Sequence, residues 1–72
     1  MAKLLIVEDT VRLAASLARG LSEEGFVVEV TNTAAGALAH IADRDLDAMI
    51  LDLGLPDLDG VVVLERARAA GM

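Results

Sequence analysis

Two short apolar runs, each ending abruptly in acid, constrain this chain more than any other feature. Lys3-Leu4-Leu5-Ile6-Val7 runs straight into Glu8-Asp9, and Ala48-Met49-Ile50-Leu51 is closed by Asp52. Runs this short with no polar break read as strands buried on both faces of a parallel sheet. Open α/β sheets bind ligands beyond the carboxyl ends of their strands, above all where the strand order reverses. The acids fall at those ends. A carboxylate there is a candidate nucleophile or metal ligand.

The residues between the two runs supply the crossovers that parallel strands need. Asp9 or Thr10 is placed to cap a first helix, along which Leu13, Leu17 and Leu21 recur with Ala14 and Ala18 as one apolar stripe. Gly25 is the natural left-handed stop after it. Phe26 to Thr31 is rich in β-branched residues, with Glu29 and Thr31 interrupting one face, and reads as an edge strand. Thr33 caps a second helix with Ala34, Ala37, Leu38, Ile41 and Ala42 on its apolar face. Gly36 weakens that helix by about 1 kcal/mol relative to alanine. His40 falls opposite Leu38 and Ile41 and is expected on the exposed surface.

Asp43 to Asp47 forms a polar connection into the second acid-ended run, and Asp59 is placed to cap a third helix reaching Ala70. Strand, helix, strand, helix, strand, helix is the signature of the α/β class with right-handed crossovers. The expected architecture is one domain over residues 1–72: a three-stranded parallel sheet in the order 2-1-3 with three helices. That order puts the reversal between the first and third strands, where Glu8, Asp9 and Asp52 converge. Neighbouring anions repel by about 4 kcal/mol per pair at 4 Å with an effective dielectric near 20. Such a cluster must raise a pKa or hold a cation, and a hard, oxygen-seeking, octahedral ion such as magnesium, Mg²⁺, suits it.

These residues resemble the receiver domains of two-component response regulators. The likeness is carried by the acidic pair Glu8-Asp9 after the first strand, Asp52 after the third, and the loop Leu55-Pro56-Asp57-Leu58-Asp59-Gly60. It implies half of a flavodoxin-like fold and a phosphorelay module whose Asp52 accepts a phosphoryl group from a sensor histidine kinase. It further implies Mg²⁺ held by the side chains of Asp9 and Asp52 and the backbone carbonyl of Gly54, with Glu8 acting mainly through bound water. The chain would then be no enzyme beyond self-phosphorylation and self-dephosphorylation on Asp52. The wording from Leu53 to Gly60 is common in transcriptional regulators that carry a winged-helix DNA-binding domain. Asp57-Leu58-Asp59 is also similar to the Asp-x-Asp motif of haloacid-dehalogenase-like phosphatases, but Pro56 separates it from the strand, so it reads as loop and helix cap.

In the resembled family a fourth strand ends in Ser or Thr and a fifth in Lys, both touching the phosphoryl oxygens. These 72 residues contain neither strand, and the only lysine, Lys3, begins the first one. Slow or absent phosphorylation of this truncated receiver-like chain is expected. Its third strand becomes an open apolar edge that invites another chain. The expected partner there is a second copy, giving a homodimer by strand pairing or exchange, or a complementary half-domain. The alternative function is accordingly a non-catalytic oligomerisation or complementation half-domain.

Composition sets the remaining bounds. A net charge of −6 with six scattered Lys and Arg argues against direct nucleic-acid binding. The absence of cysteine removes disulfides and thiolate metal sites. The apolar run before Glu8 is too short for a signal peptide or a membrane span, so a cytoplasmic location is expected.

Overall fold

Leu4 to Val7 carry no polar group and become the buried middle of the sheet, each at most 9% exposed. The computed structural model describes residues 2–42, 46–52, 57 and 59–71. Its elements are β1 (Lys3–Val7), α1 (Val11–Glu23), β2 (Val27–Thr31), α2 (Ala34–Ala42), β3 (Ala48–Leu51) and α3 (Gly60–Ala69). All strands are parallel, in the order β2-β1-β3. The expected α/β architecture and strand order are therefore what the chain adopts.

The register sorts the side chains. Leu5 lies between Glu29 and Met49, and Val7 between Thr31 and Leu51, while Leu4 and Ile6 align with Val28 and Ala48 and with Val30 and Ile50. Because neighbours along a strand point to opposite faces, Leu5 and Val7 meet α2 and α3. There they join Ala34, Ala37, Ile41, Val63 and Ala67 in one buried cluster, with Leu38, Leu46, Met49 and Leu51 packed against it. Leu4 and Ile6 point to the other face, where α1 lies over β1 and β2 and buries Ala14.

Two expectations about burial are corrected. The α1 stripe is only partly covered: Ala14 is buried and Leu17, Ala18 and Leu21 half-buried, but Leu13 stays 47% exposed. β3, expected to be buried on both faces, has Ala48 and Ile50 exposed between half-buried Met49 and Leu51. The cause is the same in both cases. α1 spans β1 and β2, so among the described residues no helix is laid across the α1 face of β3.

Local signals at the element ends behave as their chemistry dictates. Gly25 sits at φ +96° after α1. The amide of Gly25 donates to the Ser22 carbonyl at 3.0 Å and that of Phe26 to the Leu21 carbonyl at 3.2 Å. This is a Schellman stop. Asp59 caps α3 by accepting from the Val61 amide at 3.0 Å. Thr10 occupies the cap position of α1 without a side-chain capping bond, a departure from the expected role. Gly36 proves to be required by packing: a Cβ there would collide with Thr31 Oγ1 and lie 3.1 Å from Thr31 Cβ. A β-branched threonine held in a strand has little freedom to give way.

His40 does not sit free on the surface. Its Nδ1 lies 2.7 Å from Glu29 Oε2, and Lys3 Nζ lies 3.2 Å from Glu29 Oε1, so α2 is tied to β2 and β1. The Lys3 hydrogen bond, opposed by burial and aided by the charges of Lys3 and His40, holds the Glu29 carboxyl below its ordinary value of 4.5. A carboxyl lowered in the folded state stabilises the fold above its unfolded value and loses that contribution as pH falls through its folded value. Glu29→Gln should therefore be less stable than the parent near neutrality, with the gap closing as pH drops below 4.5. Denaturant midpoints measured across this range check it; a gap that does not change with pH would refute it.

Candidate metal and phosphoacceptor site

The parallel ladder itself delivers the acids to one place. β1 ends at Val7 and β3 at Leu51, which are register partners, so Glu8 and Asp52 leave the sheet side by side. The Asp52 amide donates to the Val7 carbonyl at 2.9 Å, and the Glu8 amide to the Thr31 carbonyl at 3.1 Å, which fixes the backbone on both sides of the central strand. Glu8, Asp9 and Asp52 each offer a carboxylate oxygen, and these oxygens lie within 4.8 Å of one another. Glu8 and Asp52 are half-buried and Asp9 is exposed.

A second layer of hydrogen bonds orients this cluster. Glu8 Oε1 accepts from the Thr10 amide at 3.2 Å. Asn32 Nδ2 donates to the Glu8 carbonyl at 2.8 Å. Asp57, five residues beyond Asp52, accepts from the amides of Ala34 at 2.8 Å and Ala35 at 3.0 Å. Three carboxylates, two of them half-buried on hydrogen-bonded backbones, form a donor set of hard oxygens, which fits a Mg²⁺-type cation and suits neither soft nor thiolate-bound metals.

Glu8, Asp9 and Asp52 thus meet as expected. Gly54, the remaining expected ligand, lies outside the described residues, as do Leu55, Pro56 and Leu58 of the loop motif. Sequence reasoning missed Asn32 and the role of Asp57. Both bonds join residues more than twenty positions apart, which no local spacing rule detects.

The chain matches the response regulator receiver domain over residues 4–71. It is 47% identical over 66 residues to the transcriptional regulatory protein PmrA of Pectobacterium parmentieri, covering 92% of this chain and 30% of that protein. It is 41% identical over 66 residues to the transcriptional regulatory protein TcrA of Mycobacterium tuberculosis, covering 92% of this chain and 26% of that one. The chain therefore spans about a quarter to a third of the length of these curated relatives. Among solved structures, a response regulator receiver domain (CheY-like) from Methylobacillus flagellatus superposes with a TM-score of 0.88 at 32% identity, over 96% of this chain and 58% of that one. Sheet order, acid placement and sequence likeness agree along nearly the whole length, and the chain belongs to the family of response regulator receiver domains.

Proposed function

We propose that this chain is a phosphorelay receiver module that takes a phosphoryl group on Asp52 from a sensor histidine kinase in a Mg²⁺-dependent manner. Receiver domains of response regulators partner with such kinases and generally bind Mg²⁺. The observation that carries the reading for this chain is the meeting of Glu8, Asp9 and Asp52 within 4.8 Å beyond the ends of β1 and β3. Asp9 and Asp52 would hold the cation directly. Glu8, with one oxygen already accepting from the Thr10 amide, would act through water.

One Asp52 oxygen attacks the phosphorus of the donor phosphohistidine; the P–N bond breaks, and the imidazole nitrogen keeps the electron pair and takes up a proton. The product is an acyl phosphate on Asp52. Bound Mg²⁺ supplies neutralisation of the phosphoryl oxygens. The protein's own part is positioning: the Asp52–Val7 backbone bond fixes the acceptor at the sheet end. The chain is no enzyme toward a separate substrate, its chemistry being confined to phosphorylation and dephosphorylation of Asp52. Incubation with Mg²⁺ and acetyl phosphate, read by intact mass, should give one slowly formed phosphoryl adduct. A chain that stays unmodified, with Mg²⁺ leaving its Asp9 and Asp52 amide signals unmoved, would reject the reading.

A second reading, assembly, is favoured by β3. This strand pairs only with β1 among the described residues, and Ile50 on it is 42% exposed. An edge of this kind templates another strand. A second copy, or a complementary half-domain, pairing along β3 would cover it. Light scattering at micromolar concentration should report a dimer for the chain alone; a monomer there would remove the second-copy form.

A further inference from the structure

The acidic site is built from two chain segments, the end of β1 and the segment following β3. Among the described residues, the sheet hydrogen bonds between them reach to the Asp52 amide and the Val7 carbonyl. A further connection runs through the start of α2. On one side, Glu8 donates its amide to Thr31 and accepts at its carbonyl from Asn32 Nδ2 at 2.8 Å, which locks the turn into α2 against the first acid. On the other side, the two carboxylate oxygens of Asp57 accept from successive amides of α2, Ala34 at 2.8 Å and Ala35 at 3.0 Å. The remaining early amides are met locally, Gly36 by Thr33 Oγ1 at 3.0 Å and Ala37 by the Thr33 carbonyl.

A helix start needs partners for its first amides, and a local side chain ordinarily provides one. Here Thr33 does so, yet two further amides are served by a carboxylate 23 and 22 residues away. The helix start also suits an anion because its dipole is positive there. We propose that Asn32 and Asp57 are positioning residues that hold the two halves of the acidic site in register, with the first turn of α2 as the bracket between them. Asn32 ties the first acid to this turn, and Asp57, five residues beyond Asp52, is tied to the same turn. Neither touches the cation or the phosphoryl group. The proposal rests on the reading that Glu8, Asp9 and Asp52 bind Mg²⁺.

If the bracket holds the site in its binding geometry, linkage requires that the cation tighten the bracket in return. The test uses the whole chain with Mg²⁺ as probe, followed by titration calorimetry and by hydrogen exchange of the Ala34 and Ala35 amides. Asp57→Ala and Asn32→Ala should each weaken Mg²⁺ by about tenfold or more, the usual scale for partners that orient ligands. Asp57→Asn, which keeps one strong acceptor, should fall between Asp57→Ala and the parent. Thr33→Ala removes a cap of the same helix without cutting the bracket, so it should leave Mg²⁺ affinity within about twofold of the parent. In the parent, Mg²⁺ should slow exchange at Ala34 and Ala35.

Parent-like affinity in Asp57→Ala, or an equal loss in Thr33→Ala, overturns the proposal. So does unchanged exchange at Ala34 and Ala35 when Mg²⁺ binds the parent, a readout that stands even where a variant fails to fold. A parent that binds no Mg²⁺ sinks the metal reading instead. In that case metal-free exchange at Ala34 and Ala35 in Asp57→Asn, if no faster than in the parent, overturns the bracket on its own.

Discussion

Asp52→Asn should retain the fold and lose the phosphoryl adduct completely. Asparagine has nearly the volume of aspartate, and the bond that fixes this position to β1 is made by the backbone amide to the Val7 carbonyl, which the substitution leaves in place. What disappears is the anionic oxygen that attacks phosphorus, and a neutral amide offers no replacement. The loss is therefore all or none, where removal of a stabilising donor would give only a slower reaction. Intact mass after incubation with Mg²⁺ and acetyl phosphate gives the result directly. An adduct of parent-like yield in the variant would place the acceptor elsewhere and refute the assignment.

The same substitution makes a thermodynamic statement. Three anions whose oxygens lie within 4.8 Å repel one another, and removing one relieves two of the three pairs. With about 4 kcal/mol per pair at 4 Å before screening, Asp52→Asn should be at least as stable as the parent in metal-free, low-salt solution. Mg²⁺ should reverse the ranking, since a ligand at 100 times its dissociation constant adds about 2.7 kcal/mol to the state that binds it. Denaturant midpoints with and without Mg²⁺ would show the crossing. Parallel shifts of both proteins would mean that Asp52 is not among the ligands.

How much of this was legible beforehand depends on the range over which each residue acts. Glu8, Asp9 and Asp52 could be placed because strand direction alone puts them at one edge. Gly25 closes carbonyls three and four residues back and Asp59 caps an amide two residues on, so their chemistry is written locally. The bracket built by Asp57 joins residues 23 apart in sequence and depends on how α2 docks, which local spacing does not encode. Gly36 and His40 are intermediate. They share a helix face at i and i+4, and the position of His40 opposite Leu38 and Ile41 points to solvent, whereas that face lies on β2, with Gly36 beside Thr31 and His40 bonded to Glu29. A glycine at a position where alanine would favour the helix was the available signal of close approach. β3 misled in the opposite sense, its unbroken apolar run suggesting two covered faces where the described residues cover one.

Leu5→Ala should be the most destabilising of the single core truncations, by about 2–5 kcal/mol. Leu5 is fully buried in the central strand, and the residues it meets on α2 and α3 include Ala34, Ala37 and Ala67, which are too small to fill its volume. No aromatic side chain can swing in, because the sole one, Phe26, is 38% exposed. Nor can the backbone collapse toward the void, since β1 is held by ladders on both sides. The cavity therefore persists. For a chain of this length total stability is of the order of about 4–11 kcal/mol, so the loss removes a large share of it and should lower the melting temperature by about 8–40 °C. Leu13→Ala is the matched control: the same atoms are deleted from a side chain 47% exposed on α1, and the expected change stays within about 0.5 kcal/mol. Equal losses for the two variants would mean that the α1 face is covered in solution by something that these residues do not themselves provide, and would shift weight toward assembly along β3.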